Sequence, residues 1–181
     1  MAQNELQWFT GSGGPQLLLP EELLEEWSGV DSPRNGRVVK TKGKWDEDAP
    51  ATDYDRACDV EELIECVEVG AGHGIVLGGE PHPTAFLPRP NGGLLVRWVQ
   101  GRTEREVLEA LGRIDADDDG TPAFIEARPG PLLLFDAACP GGEVEEDRVV
   151  LDLHPGRYVA GASTVQTGDV ELIVIKLDRV G

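Results

Sequence analysis

The residues of this chain whose types and spacing come nearest to a known chemistry are Asp115-Ala116-Asp117-Asp118-Asp119-Gly120 with Glu126. Oxygen ligands at the first, third, fifth and twelfth positions, with Gly at the sharp turn, are what a calcium loop requires: Asp115, Asp117, Asp119 and Glu126 would be the ligands. A helix starting at Thr103 would lead into that loop. Two features oppose the reading. Pro122 falls at the eighth position, where an EF-hand loop needs a backbone amide for its partner loop, and Pro129-Gly130 block an exit helix. The competing reading is a solvated acidic loop, or one that faces a basic partner. On balance neither a metal nor a cofactor is expected.

Other chemistries find less support. Gly70-Ala71-Gly72-His73-Gly74 has the composition of a phosphate-binding loop, but Ile75-Val76-Leu77 and then Gly78-Gly79-Glu80-Pro81 follow, a strand and a turn. Without a helix N-terminus behind it, such a loop has no free amides to offer a phosphate, so a hairpin turn is expected. There is no Gly-x-Ser-x-Gly elbow. His73, His82 and His154 lie in Gly- and Pro-rich turns without metal-ligand or triad spacing. The chain is therefore not expected to be an enzyme. Cys58, Cys66 and Cys139 are an odd number without paired spacing, which points to reduced thiols and a cytoplasmic setting.

Charge is the strongest bulk signal. The 181 residues carry 34 acids against 16 bases, a formal net charge of −18. Nucleic acid and anionic membrane surfaces bind through Lys and Arg, so both would repel this chain. A basic protein would be attracted, and its encounter accelerated. No run approaches the ~20 apolar residues of a membrane span, and Met1-Ala2-Gln3-Asn4-Glu5 lacks the basic and apolar regions of a signal peptide. The charge is also patterned. Arg34 to Lys44 holds five bases and no acid, whereas Asp46 to Glu68 holds ten acids and Arg56 alone. Trp45 sits at the seam between these runs without apolar neighbours, which makes it a candidate interface anchor. Asp46, Glu47, Asp48, Tyr54 and Asp55, with Asp117, Asp118 and Asp119, complete the candidate partner-binding set.

The elements that must position these residues are mostly strands. With 23 Gly and 13 Pro, turns are frequent, which favours many short strands over long helices. Strands are expected at 6–9, 16–19, 63–69, 74–77, 84–87, 94–99, 123–127, 132–136, 149–153, 158–163 and 170–177. The last is apolar on both faces, as a central strand should be. A short helix near 21–27 places Leu23, Leu24 and Trp27 on one side. A second near 103–114 opens with the capping box Thr103-Glu104-Arg105-Glu106 and buries Val107, Leu108, Leu111 and Ile114. Trp8, Trp27 and Trp98 sit in apolar patterns and are expected in the core. The fold class is thus mainly β (α+β), with antiparallel sheets, in one domain spanning 1–181.

The two parts of the chain, roughly 1–100 and 123–181, echo one another. Gly14-Pro15-Gln16-Leu17-Leu18-Leu19 returns as Gly130-Pro131-Leu132-Leu133-Leu134-Phe135. Val67-Glu68-Val69 followed by Gly72 resembles Leu151-Asp152-Leu153 followed by Gly156. Leu95 to Val99 resembles Ile173 to Leu177. The order is kept, and the reading is a duplicated β-unit.

Taken whole, the chain resembles the immunity protein 21 family of bacterial polymorphic toxin systems. Carrying the resemblance are Gly13-Gly14-Pro15 with Leu17 to Pro20, Trp27, Asp53-Tyr54-Asp55-Arg56-Ala57-Cys58, Val76-Leu77-Gly78 through Glu80-Pro81 to Thr84, and Val96-Arg97-Trp98. Gly130-Pro131-Leu132, Phe135-Asp136-Ala137 and Pro155-Gly156-Arg157-Tyr158 extend it through the second half. In the family pattern an Asp often precedes the Glu-Pro pair, where this chain has Gly79. The resemblance implies a mostly β protein that binds and neutralises a toxin in the cytoplasm, without catalytic residues or cofactor. The alternative from another class is a small-molecule- or calcium-binding regulatory β-domain, and a hydrolase with a site assembled from distant residues comes third.

Overall fold

A computed structural model describes residues 6–31, 51–112 and 121–181. Ten strands form two antiparallel five-stranded sheets. In chain order they are β1 (Gln16–Pro20), β2 (Ile64–Val69), β3 (Gly72–Leu77), β4 (Thr84–Arg89), β5 (Gly92–Gln100), β6 (Ala123–Ala127), β7 (Leu132–Asp136), β8 (Val149–Leu151), β9 (Gly156–Thr167) and β10 (Val170–Val180). The first sheet runs β2-β3-β1-β7-β8 and the second β4-β5-β10-β9-β6. The expected mainly β fold is therefore present, and the last apolar run, β10, is central between β5 and β9.

Why β1 and β7 can be apolar at successive positions follows from what covers them. Leu18, Leu132 and Leu134 face the second sheet, joining Ile75, Leu95, Ile125, Tyr158 and Ile175 in the inter-sheet core. Leu17, Leu19, Leu133 and Phe135 point the other way, onto Leu23, Trp27 and Ala57. All five residues of each strand are buried. An antiparallel sheet normally leaves one face wet, so a continuous apolar strand needs a lid. That lid is a 3-10 helix, Glu21–Glu26, together with the helix α1, Asp53–Cys58. The second sheet is lidded by α2, Glu104–Leu111, whose Val107, Ala110 and Leu111 pack on Val96, Leu172 and Val174.

Several local expectations are corrected. The segment 6–9 contributes a single bridge, Phe9 to Thr84, rather than a strand. Residues 21–26 wind as a 3-10 helix, with Pro20 before them and no side-chain cap. The helix at α2 does open on the Thr103–Glu106 capping box. Trp27 is buried, while Trp8 and Trp98 are half-buried, their rings 5.4 Å apart beside α2. The Gly-rich run at 70–74 forms the β2–β3 hairpin, with Gly70 at a φ of 55°.

α1 was not anticipated at all. Its signal is nonetheless local: Thr52 and Asp55 form a reciprocal capping box, the Thr52 hydroxyl accepting from the Asp55 amide and the Asp55 carboxylate from the Thr52 amide.

The echoing segments occupy related places. β1 and β7 pair antiparallel with Leu18 opposite Leu134, the residues that the echo equates. β5 and β10 pair with Val96 opposite Val174, again equated by the echo. The third echo does not follow: β2 lies two strands from β1, whereas β8 lies directly beside β7.

Candidate protein-binding site

β7 ends in Asp136, and the chain beyond it turns back across the outer face of the first sheet. Asp136 is 6% exposed, and its carboxylate accepts the amides of Ser12 (2.5 Å) and Ala138 (2.9 Å). A 3-10 turn at Gly141–Glu143 follows, docked by the Gly141 amide on the Trp27 carbonyl (2.9 Å). A side chain at 141 would collide with the Leu24 carbonyl at 2.0 Å, so glycine permits this close approach. The result is a cleft of about 270 Å³ floored by Phe135 and Asp136 and walled by Glu143, Glu145, Glu146 and Asp147. All four wall carboxylates are exposed. Arg148, the nearest base in sequence, spends its guanidinium on the Val144 carbonyl (3.0 Å).

α1 stands beside this cleft. Its placement rests on Asp53, which is fully buried and accepts the Ser28 amide (2.9 Å) and the Arg56 guanidinium (2.7 Å). Arg56 in turn lies 5.5 Å from the ring centre of Trp27 and donates to the Glu68 carbonyl. The Trp27 indole N–H donates to the Ala137 carbonyl (2.9 Å). α1, the 3-10 helix and the segment after β7 are thus tied into one buried network.

Tyr54 is half-buried on α1 against Gly14. A Cβ there would sit 2.7 Å from the Tyr54 hydroxyl and 3.1 Å from an Asp136 carboxylate oxygen. Burial, then a hydrogen bond with the Cys58 thiol, then the charges of Cys58, Asp136 and Asp55 push the Tyr54 phenol up to about 12. On the other side of Asp136, burial and the charges of Glu143, Asp136 and Asp147 raise the Cys139 thiol. Asp136 therefore contributes to one negative field felt on both sides. Val30, 53% exposed, adds an apolar group where its amide meets the Ala138 carbonyl (3.1 Å).

The sequence-derived candidates fare differently. Tyr54 lies at this site. Asp55 does too, but its carboxylate is engaged by the Thr52 amide and hydroxyl (2.6 and 2.9 Å) and caps α1. Trp45, Asp46, Glu47 and Asp48, and Asp115, Asp117, Asp118 and Asp119, lie outside the described residues. Glu126 is elsewhere, on β6, paired across the ladder with Arg157 and 3.5 Å from Arg128. Among the described residues no group of three acidic, His or Cys side chains is placed to hold a metal ion. Sequence reading missed the wall of the cleft, although its signal was present: Glu143-Val144-Glu145-Glu146-Asp147 has four acids in five positions.

An acidic cleft flanked by a half-buried Tyr and an exposed Val has the make-up of a protein-recognition surface, with charge for encounter and apolar groups for retention. Comparison with known proteins gives that surface a context. The family model described as immunity protein 21 matches residues 7–171. The chain belongs to the immunity protein 21 family. No curated protein and no solved structure matches it. The matched span runs from before β1 to the start of β10 and so includes α1, α2 and the segment that walls the acidic cleft. No helix among the described residues is long and apolar enough to cross a membrane.

Proposed function

We propose that this immunity protein binds and neutralises a toxin domain of a polymorphic toxin system in the cytoplasm, with the acidic cleft and Tyr54 facing a basic surface of the toxin. The observation that carries the reading is the gathering of Glu143, Glu145, Glu146 and Asp147 around Asp136, with Tyr54 near Asp136 and Val30 bonded to Ala138, in a chain of this family. The wall carboxylates steer a cationic surface at long range, because a net charge of −18 leaves few bases to screen them. Tyr54 and Val30 then supply apolar area that water gives up on contact. Trp45, Asp46–Asp48 and Asp117–Asp119, outside the described residues, are proposed as further partner contacts.

The test is co-expression with toxin domains of the polymorphic toxin systems that immunity proteins of this family accompany. Rescue of growth, and a complex that survives size-exclusion chromatography, are expected. Absence of both rescue and complex would overturn the reading. Rescue that persists with unchanged association kinetics after Glu145, Glu146 and Asp147 are all replaced by Lys would relocate the interface away from the cleft.

A further inference from the structure

A second concavity lies where edge strand β6 of the second sheet crosses the β2–β3 hairpin of the first. There a cysteine side chain bridges the two sheets. The Cys66 thiol accepts the Phe124 amide (3.2 Å) and donates to the Phe124 carbonyl (3.4 Å). Beside this seam is a cleft of about 620 Å³, within the range of small-ligand sites. Its lining includes Leu23 and Ile125, both buried, and Phe124, which is 40% exposed.

Its charged lining has the sign opposite to the rest of the molecule. Arg128 and Arg157 line it, with Glu126 the carboxylate among its lining residues, in a chain of net charge −18. Arg128 is already engaged by Glu22 (2.6 Å) and Glu126 (3.5 Å). Arg157 is different. Its guanidinium lies 4.6 Å from the centre of the Phe124 ring and makes no ion pair among the described residues. A guanidinium held over a ring face by cation–π attraction keeps its N–H groups for a ligand, and Arg can take a carboxylate through two parallel bonds.

We propose that this cleft binds an apolar group bearing a carboxylate, with the carboxylate on Arg157 and the apolar body against the exposed part of Phe124. A monoanion is favoured over a phosphate. Glu126 beside the arginines, and the charge of the whole chain, penalise a second negative charge in the ligand. The inference does not depend on the toxin reading, since none of these residues belongs to the acidic cleft.

Titration followed by amide NMR tests it, with four probes: N-acetyl-phenylalanine, its uncharged amide, acetate, and the tripeptide N-acetyl-Gly-Gly-Phe. The expected result is saturable movement of the Phe124, Ile125 and Arg157 amides with the two apolar carboxylates. The amide and acetate should bind at least about ten-fold more weakly. Arg157→Gln should lose at least about that factor, whereas Arg157→Lys, which keeps the charge, should lose less. Arg157 is exposed, so these variants test recognition rather than folding. Tighter binding of the tripeptide than of the acetylated amino acid would make the ligand a peptide chain end; the reverse order would make it a free acid. Equal binding of acid and amide, binding indifferent to Arg157→Gln, or no saturable movement would each overturn the proposal.

Discussion

The two clefts are built in contrasting ways. The acidic one rests on buried polar chemistry: Asp53, Arg56, Trp27 and Asp136 tie α1, the 3-10 helix and the segment after β7 to the sheet. The Phe124 cleft sits at an edge, where the polar links between the sheets are a thiol and an ion pair and the charged groups stand largely in solvent. Rigidity therefore accompanies the surface that would meet a large partner. Binding by a preformed surface avoids the entropy of ordering it at the moment of contact. A small ligand needs less of this, since it contacts a few groups and the edge can adjust around it.

The largest effect should come from the buried network. Asp53→Ala leaves the largely buried Arg56 guanidinium without its carboxylate and the Ser28 amide without its acceptor. A loss of about 3–5 kcal/mol is expected, read by urea denaturation. A loss below about 1 kcal/mol would mean that water replaces the carboxylate, and the contrast between the clefts would fail. Next in size is the charge of the acidic wall. Lys at 145, 146 and 147 together should slow association with the toxin at low salt by about ten-fold or more, with the difference shrinking as salt rises. Each of these positions is exposed, so stability should move by no more than about 0.5 kcal/mol per site. Stopped-flow association measured across a salt series decides this.

A smaller effect concerns pH. The Tyr54 phenol is raised to about 12, above its ordinary value of 10.0, so the folded chain favours the neutral form. Its contribution to stability is complete below pH 10 and is lost as pH climbs from there toward 12, because the unfolded chain ionises first. Thermal melts of the wild type and Tyr54→Phe should differ in slope over that window and run parallel below it. Parallel curves throughout would show that Tyr54 is freely solvated.

Much of the fold was legible because strands and turns are local. Gly and Pro divided the apolar runs, and the capping box marked α2. What escaped had non-local causes. Residues 21–26 have the apolar spacing of a helix, yet the Glu21 amide is held by the Pro131 carbonyl and the run tightens to 3-10. The acidic cleft was less legible: Tyr54 stands in an acidic run of the sequence, but Asp136 comes near it from a strand more than eighty residues away. Buried Arg97 shows the same limit. It lies in an apolar strand and donates to the Gly78 and Glu80 carbonyls (both 2.7 Å), partners that no spacing rule reveals. We propose that the two halves are copies of one unit, on the register of Leu18 with Leu134 and Val96 with Val174. Superposing β1, β3, β4 and β5 on β7, β8, β9 and β10 tests this, and unrelated strand paths would end the idea.

The smallest expected effect sharpens the comparison from the other side. Cys66→Ala removes the partner of both the amide and the carbonyl of Phe124, yet both groups lie where water can reach them. A solvated backbone group loses only the net value of its bond, so the cost should be about 1 kcal/mol, well below that of Asp53→Ala. Cys66→Ser, which keeps a donor and an acceptor on a shorter side chain, should recover part of it. Hydrogen exchange gives the local readout. In Cys66→Ala the Phe124 amide should exchange faster, while amides of β1 and β7 keep the protection of the global fold. If instead β6 and the β2–β3 hairpin lost protection together with β1 and β7, the seam would be part of the core, and the edge cleft would be no looser than the acidic one.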